Sequence, residues 1–465
     1  MEEGSSFQRR EEVEIAIVGG GLGGLALALA LQERGITAHL YEKHHDLRSD
    51  TATAIGIGAN GVKSLNGIRS GLSKVMEDAG TYASCLKLTL VNKKGEVRYR
   101  EQTFEQGEYV SIGWKQAQLV LASYINKDLI HCSHRLVRFE SSEAGVDAYF
   151  EVTDENTSSL EYIKVVRTKL LVGADGIWSV VRRTIVGDSP RYLHLVDWNA
   201  YVPNPGAKVF GGHGEHEIVL LFDEDGETRS WLVDAGKGFS LWILRKLDLS
   251  GDLAKTLKRS KGGLGIPGAK ARALQQLDGL DGWDDIKAAI KATDETYIFE
   301  RPIMDNLPIK RWSDSHRRVL LMGDAAHAQY VGPGQGARTA FEDAHQLSIL
   351  LKEAFSSSED NSIATAVKKV NFMEEMLSTS RHTFVKVYQC FSPLSSTSWF
   401  EELRIPRMIK MQEYAAESTA LPALVPEWVS KLTMEEKQKR ALECQQWVHS
   451  YPEKMLCDPD STYWK

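Results

Sequence analysis

Short apolar runs that end in glycine recur along this chain, and helical spacing follows them. Ile15, Ala16, Ile17 and Val18 form the first run, closed by Gly19. A continuous apolar stretch of this length, bounded by a glycine turn, predicts a strand covered on both faces over 14–18. Residues 25–34 (LALALALQER) read as a helix ended by Gly35, and 37–41 as a second strand that leads into Glu42. The same rhythm returns at 170–172, a strand followed by Ala174-Asp175-Gly176 and a helix from Trp178 onward. It returns again at 319–322, ended by Gly323. Beyond a Gly-rich loop, Ala337, Ala340, Phe341, Ala344, Leu347, Leu351 and Ala354 repeat at about 3.6 residues, the spacing of one helix face. Residues 217–222, 229–233 and 240–244 are instead short and alternating with aromatics, which predicts an antiparallel sheet. The stretch 362–465 reads as mostly helical, broken at Pro406, Pro422 and Pro426.

Two glycine clusters carry candidate chemistry. Gly19, Gly21 and Gly24 meet the pattern G-x-G-x-x-G between a strand and a helix, and Glu42 ends the next strand. In that context the glycines give a tight turn and close backbone approach to a pyrophosphate, and the acid suits a ribose hydroxyl. The bare pattern also occurs at Gly56, Gly58 and Gly61, and at Gly263, Gly265 and Gly268. The first of these follows a poor strand, and the second follows a basic run and contains Pro267, so 255–270 reads as an exposed loop. One tightly held dinucleotide is therefore expected. At the second cluster, Asp324 ends a strand while Gly334 and Gly336 open a helix whose free N–H groups favour a negative group.

Bulk properties narrow the class. At 465 residues the chain has room for two or three domains, and 42% hydrophobic with 26% charged residues is ordinary globular composition. A net charge of −7 gives no reason to expect nucleic acid. Cys85, Cys132, Cys390, Cys444 and Cys457 are odd in number and form no CxxC, which fits free thiols in a reducing compartment. No run reaches the ~18 apolar residues of a membrane span. The N-terminal MEEGSSFQRREEVE lacks an apolar core, so the chain reads as cytoplasmic; a trimmed precursor would allow a plastid membrane instead.

Together GGGLGG, GADGIWSVVR and GDAAHA…GQGA…EDA, in that order, resemble the class A flavin monooxygenases. The resemblance implies an α/β fold: a Rossmann-like FAD-binding domain of the glutathione-reductase type, an inserted antiparallel-sheet substrate domain and a helical C-terminal region. Its expected bounds are a mobile tail at 1–12, the FAD domain at 13–80, 110–187 and 300–356, the substrate domain at 81–109 and 188–299, and the helical region at 362–465 after a linker at 356–361. FAD would be the cofactor and NADPH the co-substrate, bound without a Rossmann domain of its own. Oxygen would add to the reduced flavin as a C4a-hydroperoxide, so no protein nucleophile and no metal is expected.

Residue by residue, the resemblance places Gly19, Gly21 and Gly24 under the pyrophosphate and Glu42 on the adenosine ribose. Asp324 would meet the ribityl or pyrophosphate end, and Gly334, Gly336 and Ala337 the flavin ring edge. Asp175 would serve FAD and NADPH, or else satisfy its own turn. Arg182 and Arg183 would meet phosphate charge. Two departures stand out. Where the family has Met-x-Pro after GDAAHA, this chain has Gln329-Tyr330-Val331, with proline displaced to Pro333. Where an arginine opens the helix after the middle strand, Lys115 or Gln116 stands in. His327 reads as bonded to backbone rather than as a base, and His213 with His216 as a solvated turn rather than a metal pair.

For substrate, AIKATDETYIFERPIMDNLP and WFEELRIPRMI resemble zeaxanthin epoxidases, which implies epoxidation of a carotenoid ring alkene. A salicylate-hydroxylase-like ring hydroxylation is the alternative, with Tyr201, His213 and Arg229 as candidates to hold a phenolate. A binding scaffold on the same fold is a third reading. The partners are then molecular oxygen and a small apolar or aromatic molecule. Leu403, Ile405, Met408, Ile409 and Met411 beside Arg404, Arg407 and Lys410 would either lie on an anionic lipid surface or pack on the FAD domain.

Overall fold

The computed structural model describes residues 8–47, 53–92, 97–154, 160–203, 215–223, 225–256, 263–356, 396–417 and 431–452. Its first layer is a seven-stranded sheet in which Ile130–His131, Ala38–Tyr41, Gln8–Val18 and Leu160–Gly173 run parallel. Val319–Leu321 adds a fifth parallel strand against Leu171, Val172 and Gly173. Gly145–Thr153 and His134–Ser142 extend the other part of Leu160–Gly173 as an antiparallel meander. Residues 15–18, 170–172 and 319–321 are buried, as expected for strands covered on both faces.

The helix Leu22–Glu33 is buried continuously from Gly24 through Leu31, because the sheet lies on one side and the helix Gly336–Ser356 on the other. Gly23 permits that approach: a Cβ there would stand 3.3 Å from Ala340 Cβ.

The second layer is an eight-stranded, mostly antiparallel sheet. Its strand order is Gly263–Leu264, Phe299–Asp305, Arg191–Pro203, Phe239–Leu247, Thr228–Asp234, Glu217–Asp223, Cys85–Val91 and Val97–Thr103. A small three-stranded sheet, Ala54–Ile57, Val110–Gly113 and Thr81–Tyr82, lies apart from both.

The structure corrects several sequence expectations. Residues 8–12, expected in a mobile tail, pair with 163–167 as the start of the first strand; the alternation Arg10, Glu12 and Val13 hid it. Residues 299–305, placed by sequence largely in the FAD domain, pair with 191–199 in the second sheet. Ala54–Ile57 is a strand leading into the helix Ala59–Ile68, so the copy at Gly56, Gly58 and Gly61 has strand–glycine–helix context after all. Its glycines are filled by protein, since a Cβ on Gly58 would lie 2.7 Å from Arg338 Nη1. The exposed loop expected over 255–270 holds the strand Gly263–Leu264 and the first turn of the helix Ala269–Gln275, while 257–262 lie outside the described residues.

The C-terminal region is also corrected. The helix Ser396–Glu417 does not offer Arg404 and Arg407 to a surface: both are buried. Arg404 donates to Asp343 through Nε at 2.7 Å and to Glu342 through Nη1, and Arg407 donates to both Glu342 oxygens at 2.8 and 2.9 Å. Ile405, Met408 and Met411 are buried in the core beside them. No described helix is long and apolar enough to cross a membrane. Burial by itself would raise the Glu342 carboxyl, but Arg407 and Arg404 outweigh it and bring the group down to about 2.

A depressed folded-state pKa contributes stability that is complete above the unfolded value of about 4.3 and is lost as pH falls toward about 2. Unfolding measured across this window should show wild-type stability falling, and Glu342→Gln should flatten that fall. Arg404→Met should cost about 3–5 kcal/mol in denaturant unfolding at neutral pH, because it leaves buried carboxylates short of a partner. An unchanged pH slope in the glutamine variant would assign the acid sensitivity elsewhere.

Candidate active site

The first glycine turn is built by close packing. Gly19 has φ +110°, and a Cβ on it would lie 2.4 Å from the Ala174 carbonyl oxygen at the end of the neighbouring strand. A Cβ on Gly24 would lie 2.0 Å from the Gly19 oxygen, so the helix can start only this close to the turn with glycine there. Gly21 differs: a Cβ there would meet nothing within 4 Å. Gly21 caps the helix Leu22–Glu33, which has no side-chain cap and no acid in its first turn. Its first N–H groups therefore present positive charge to open space.

Glu42 closes the turn from the next strand. Its Oε2 accepts from Gly20 N at 2.6 Å and its Oε1 from His44 N at 3.0 Å. Sequence reasoning missed Gln118, which is buried and donates from Nε2 to the Gly20 carbonyl at 2.7 Å. Its Oε1 finds no partner among the described residues. Gln118 lies on the buried face of the helix Trp114–Ser123 with Ala117 and Leu121.

Across from this turn, Asp324 opens the short helix Asp324–His327 after Gly323, whose φ is +56°. Its carboxylate is exposed and makes no hydrogen bond among the described residues, yet protein crowds it closely enough to raise its pKa, with His327 and Arg301 opposing. Such a group lies on the wall of a cleft. It faces Gly336, where a Cβ would stand 3.8 Å from Asp324 Oδ1, at the start of the helix Gly336–Ser356. Gly334 turns the chain into that helix with φ +66°, and Ala337 is half-buried behind it.

Asp343 holds this arrangement from below. Its Oδ2 accepts from Gly323 N at 2.8 Å and bonds His327 Nε2 at 2.6 Å. His327 thus pairs with a carboxylate, where the sequence predicted a bond to backbone; its ring is buried and lies 5.1 Å from that of Trp312.

Other expected residues are engaged elsewhere. Arg182 does not meet phosphate, because all of its N–H groups are taken. Nε and Nη2 grip Asp188 at 2.8 and 2.6 Å, Nη1 reaches the carbonyls of Ala325 and Ala326, and Nη2 that of Leu307. It braces the helix that carries Asp324. Asp175 caps its own helix, accepting from Ser179 Oγ at 2.5 Å and Val180 N at 2.7 Å. Lys115 donates to the Leu47 carbonyl. Gln116 keeps a buried Oε1 without a partner among the described residues, close to Gly113 and the Tyr201 hydroxyl. His216 stacks on Tyr82 with ring centroids 4.2 Å apart, and His213 lies outside the described residues. Glu11, His39 and His131 also cluster, but His39 Nδ1 and His131 Nε2 bond each other at 2.9 Å and Glu11 pairs with Lys164 at 2.7 Å.

Tyr201 of the second sheet stands beside the start of the helix Trp114–Ser123, its hydroxyl 2.7 Å from where a Cβ on Gly113 would lie. Tyr201 stacks on Phe239 with centroids 5.0 Å apart, and burial pushes its hydroxyl up to about 12. Val331, in the loop after the Asp324 helix, is 41% exposed. Gln329 beside it is buried with neither side-chain polar atom paired among the described residues. An uncapped helix start facing space, a lone carboxylate opposite a second helix start, and the unpaired amide atoms of Gln116, Gln118 and Gln329 match the needs of FAD. The diphosphate requires N–H donors, the ribityl chain an acceptor, and the ring edge further donors.

The comparisons agree with this geometry. The family model described as FAD binding domain matches residues 12–209 and 282–372. Zeaxanthin epoxidase of Prunus armeniaca is 28% identical over 371 residues, 75% of this chain and 50% of that protein. The Arabidopsis thaliana zeaxanthin epoxidase is 26% identical over 460 residues, 91% of this chain and 62% of its own length. The chain spans about half the length of most curated relatives it matches. Among solved structures, Klebsiella pneumoniae HpxO complexed with FAD and uric acid superposes with a TM-score of 0.65 at 20% identity, covering 93% of this chain and 96% of that one. The 2,6-dihydroxypyridine-3-hydroxylase of Arthrobacter nicotinovorans gives 0.62 at 17% identity, covering 88% and 91%. At such identities the solved structures establish the fold, and the family match extends over more than half of the chain: it belongs to the FAD binding domain family of class A flavin monooxygenases.

Proposed function

We infer that the protein uses FAD and NADPH to insert one atom of molecular oxygen into an apolar alkene, of the kind found in a carotenoid ring. The observation that carries the cofactor seat is the exposed, unpartnered Asp324 facing the start of one helix, with the uncapped start of another at Gly21. FAD, once reduced, supplies the activation of oxygen; this chain's residues bind it, orient it and keep water from it. Gly19, Gly21 and Gly24 hold the diphosphate, Glu42 the adenosine ribose and Asp324 the ribityl chain. Gly334, Gly336 and Ala337 face the ring edge, where the helix start stabilises negative charge on the reduced ring.

The alkene reading is supported by what the polar groups near the cleft are doing. Hydroxylation of a phenol calls for a base or a cation to stabilise the phenolate. Arg229 and Arg245 both donate to Tyr330, and Arg245 is also paired with Asp197. The Tyr201 hydroxyl is held protonated by burial. An electron-rich alkene needs no such help. The curated relatives named zeaxanthin epoxidase support the same choice.

Two outcomes are expected. Asp324→Ala should weaken FAD binding roughly 5- to 150-fold, the 1–3 kcal/mol of a lost charged hydrogen bond. Gly21→Val should abolish FAD binding while leaving the flavin-free protein folded, since its new side chain meets no protein atom within 4 Å. Fluorescence titration with FAD reads both, and full affinity in both variants would mean that the seat lies elsewhere. For the substrate, NADPH consumption and product mass should be followed with zeaxanthin in detergent and with a panel of phenols. Coupled addition of one oxygen to the carotenoid is expected; tightly coupled turnover of a phenol alone would favour the ring hydroxylase.

A further inference from the structure

Three charged residues stand side by side on the second sheet. Asp197, Arg245 and Arg229 occupy directly opposite positions on Arg191–Pro203, Phe239–Leu247 and Thr228–Asp234. Two arginines facing each other across neighbouring strands repel. Asp197 grips Arg245 at 2.6 and 2.7 Å through both oxygens. Arg245 is moreover buried.

Tyr330 bridges the two arginines. Its hydroxyl oxygen accepts from Arg245 Nη1 at 2.9 Å and from Arg229 Nη1 at 3.0 Å. The ring is buried against Leu193, Leu195, Ile303 and Ala415, with the Arg245 guanidinium 5.1 Å from its centroid. The loop then turns tightly over the ring: a Cβ on Gly332 would stand 2.2 Å from Tyr330 Cε1. Two residues later comes Gly334, and after it the helix start that faces Asp324. This is the stretch in which the sequence departs from its family by lacking Met-x-Pro.

We propose that Tyr330, held by Arg229 and Arg245, is the positioning residue that sets the shape of the loop 328–335 and so places the flavin-facing helix start relative to the substrate sheet. The proposal rests on the flavin reading of the site. The anchor does mechanically what a rigid proline does by its fixed φ: it removes alternative loop conformations. Both lone pairs of the Tyr330 oxygen are engaged by charged donors, which are stronger than neutral ones, so the loop is tied to the sheet and not only to the domain that carries it. Loop geometry and sheet geometry are therefore coupled, and this oxygen would set where the helix start that faces the flavin stands relative to the second sheet.

The test uses Tyr330→Phe, which keeps the ring and removes the oxygen, and Arg229→Met, which removes one donor from a half-buried position. Deuterium exchange of 328–335 in the flavin-free full-length protein should rise at least roughly tenfold in the first variant and less in the second, with no change in the strands of the second sheet. In flavin-loaded protein, FAD affinity should stay within about twofold of wild type while the share of NADPH lost to hydrogen peroxide rises. The exchange readout needs neither flavin nor substrate, so failure of the flavin reading and failure of this one are distinguishable. Unchanged exchange in both variants overturns the proposal, whatever happens to turnover. A rise spread evenly over the sheet also overturns it, since that would make Tyr330 a packing residue only.

Discussion

Two adjacent buried carboxylates, Glu342 and Asp343, hold the site together. Both sit on the helix whose start faces the cleft, and each reaches in a different direction. Asp343 ties down Gly323 and His327, and thereby the turn that presents Asp324. Glu342 accepts from Asn60 at 2.8 Å and from two arginines of the helix Ser396–Glu417. A lone buried carboxylate would be untenable, so the C-terminal helix is required to supply Arg404 and Arg407. Apolar groups fill the rest of the interface.

Around that hub the chain leaves a few groups open. Gly21 has no neighbour where its side chain would be, and the Asp324 carboxylate has no hydrogen-bond partner among the described residues. Arg182 illustrates the contrast: it spends every donor on Asp188 and on carbonyls of the Asp324 helix and its surroundings. Arg182 supports the seat with every donor engaged, whereas the Asp324 carboxylate and the side-chain oxygen of Gln118 keep acceptors open among the described residues.

The sequence made the backbone of this site legible because its demands are local. Gly19 and Gly24 are dictated by contacts of 2.4 and 2.0 Å that no other residue tolerates, and such positions show as glycines in any reading. Strands 15–18, 170–172 and 319–321 were legible as unbroken apolar runs. The rest was not, because long-range pairing decided it. Arg404 and Arg407 look like surface charges until Glu342 and Asp343 are seen opposite them. Residues 8–12 look like a polar tail, since one edge of that strand segment pairs with 163–167 through backbone bonds that side-chain pattern does not encode. Gln118 was passed over for Lys115 and Gln116 because the sequence does not say which face of its helix meets the glycine turn. Tyr330 was visible only as the middle residue of the stretch that replaces Met-x-Pro.

The central claim is that the open groups form a seat for one FAD. The most direct measurement is to acid-precipitate purified protein, before and after incubation with FAD and gel filtration, and to identify and count the flavin released. FAD, freed without covalent linkage, is expected at about one per chain after reconstitution. Protein that remains colourless and takes up no flavin would contradict it.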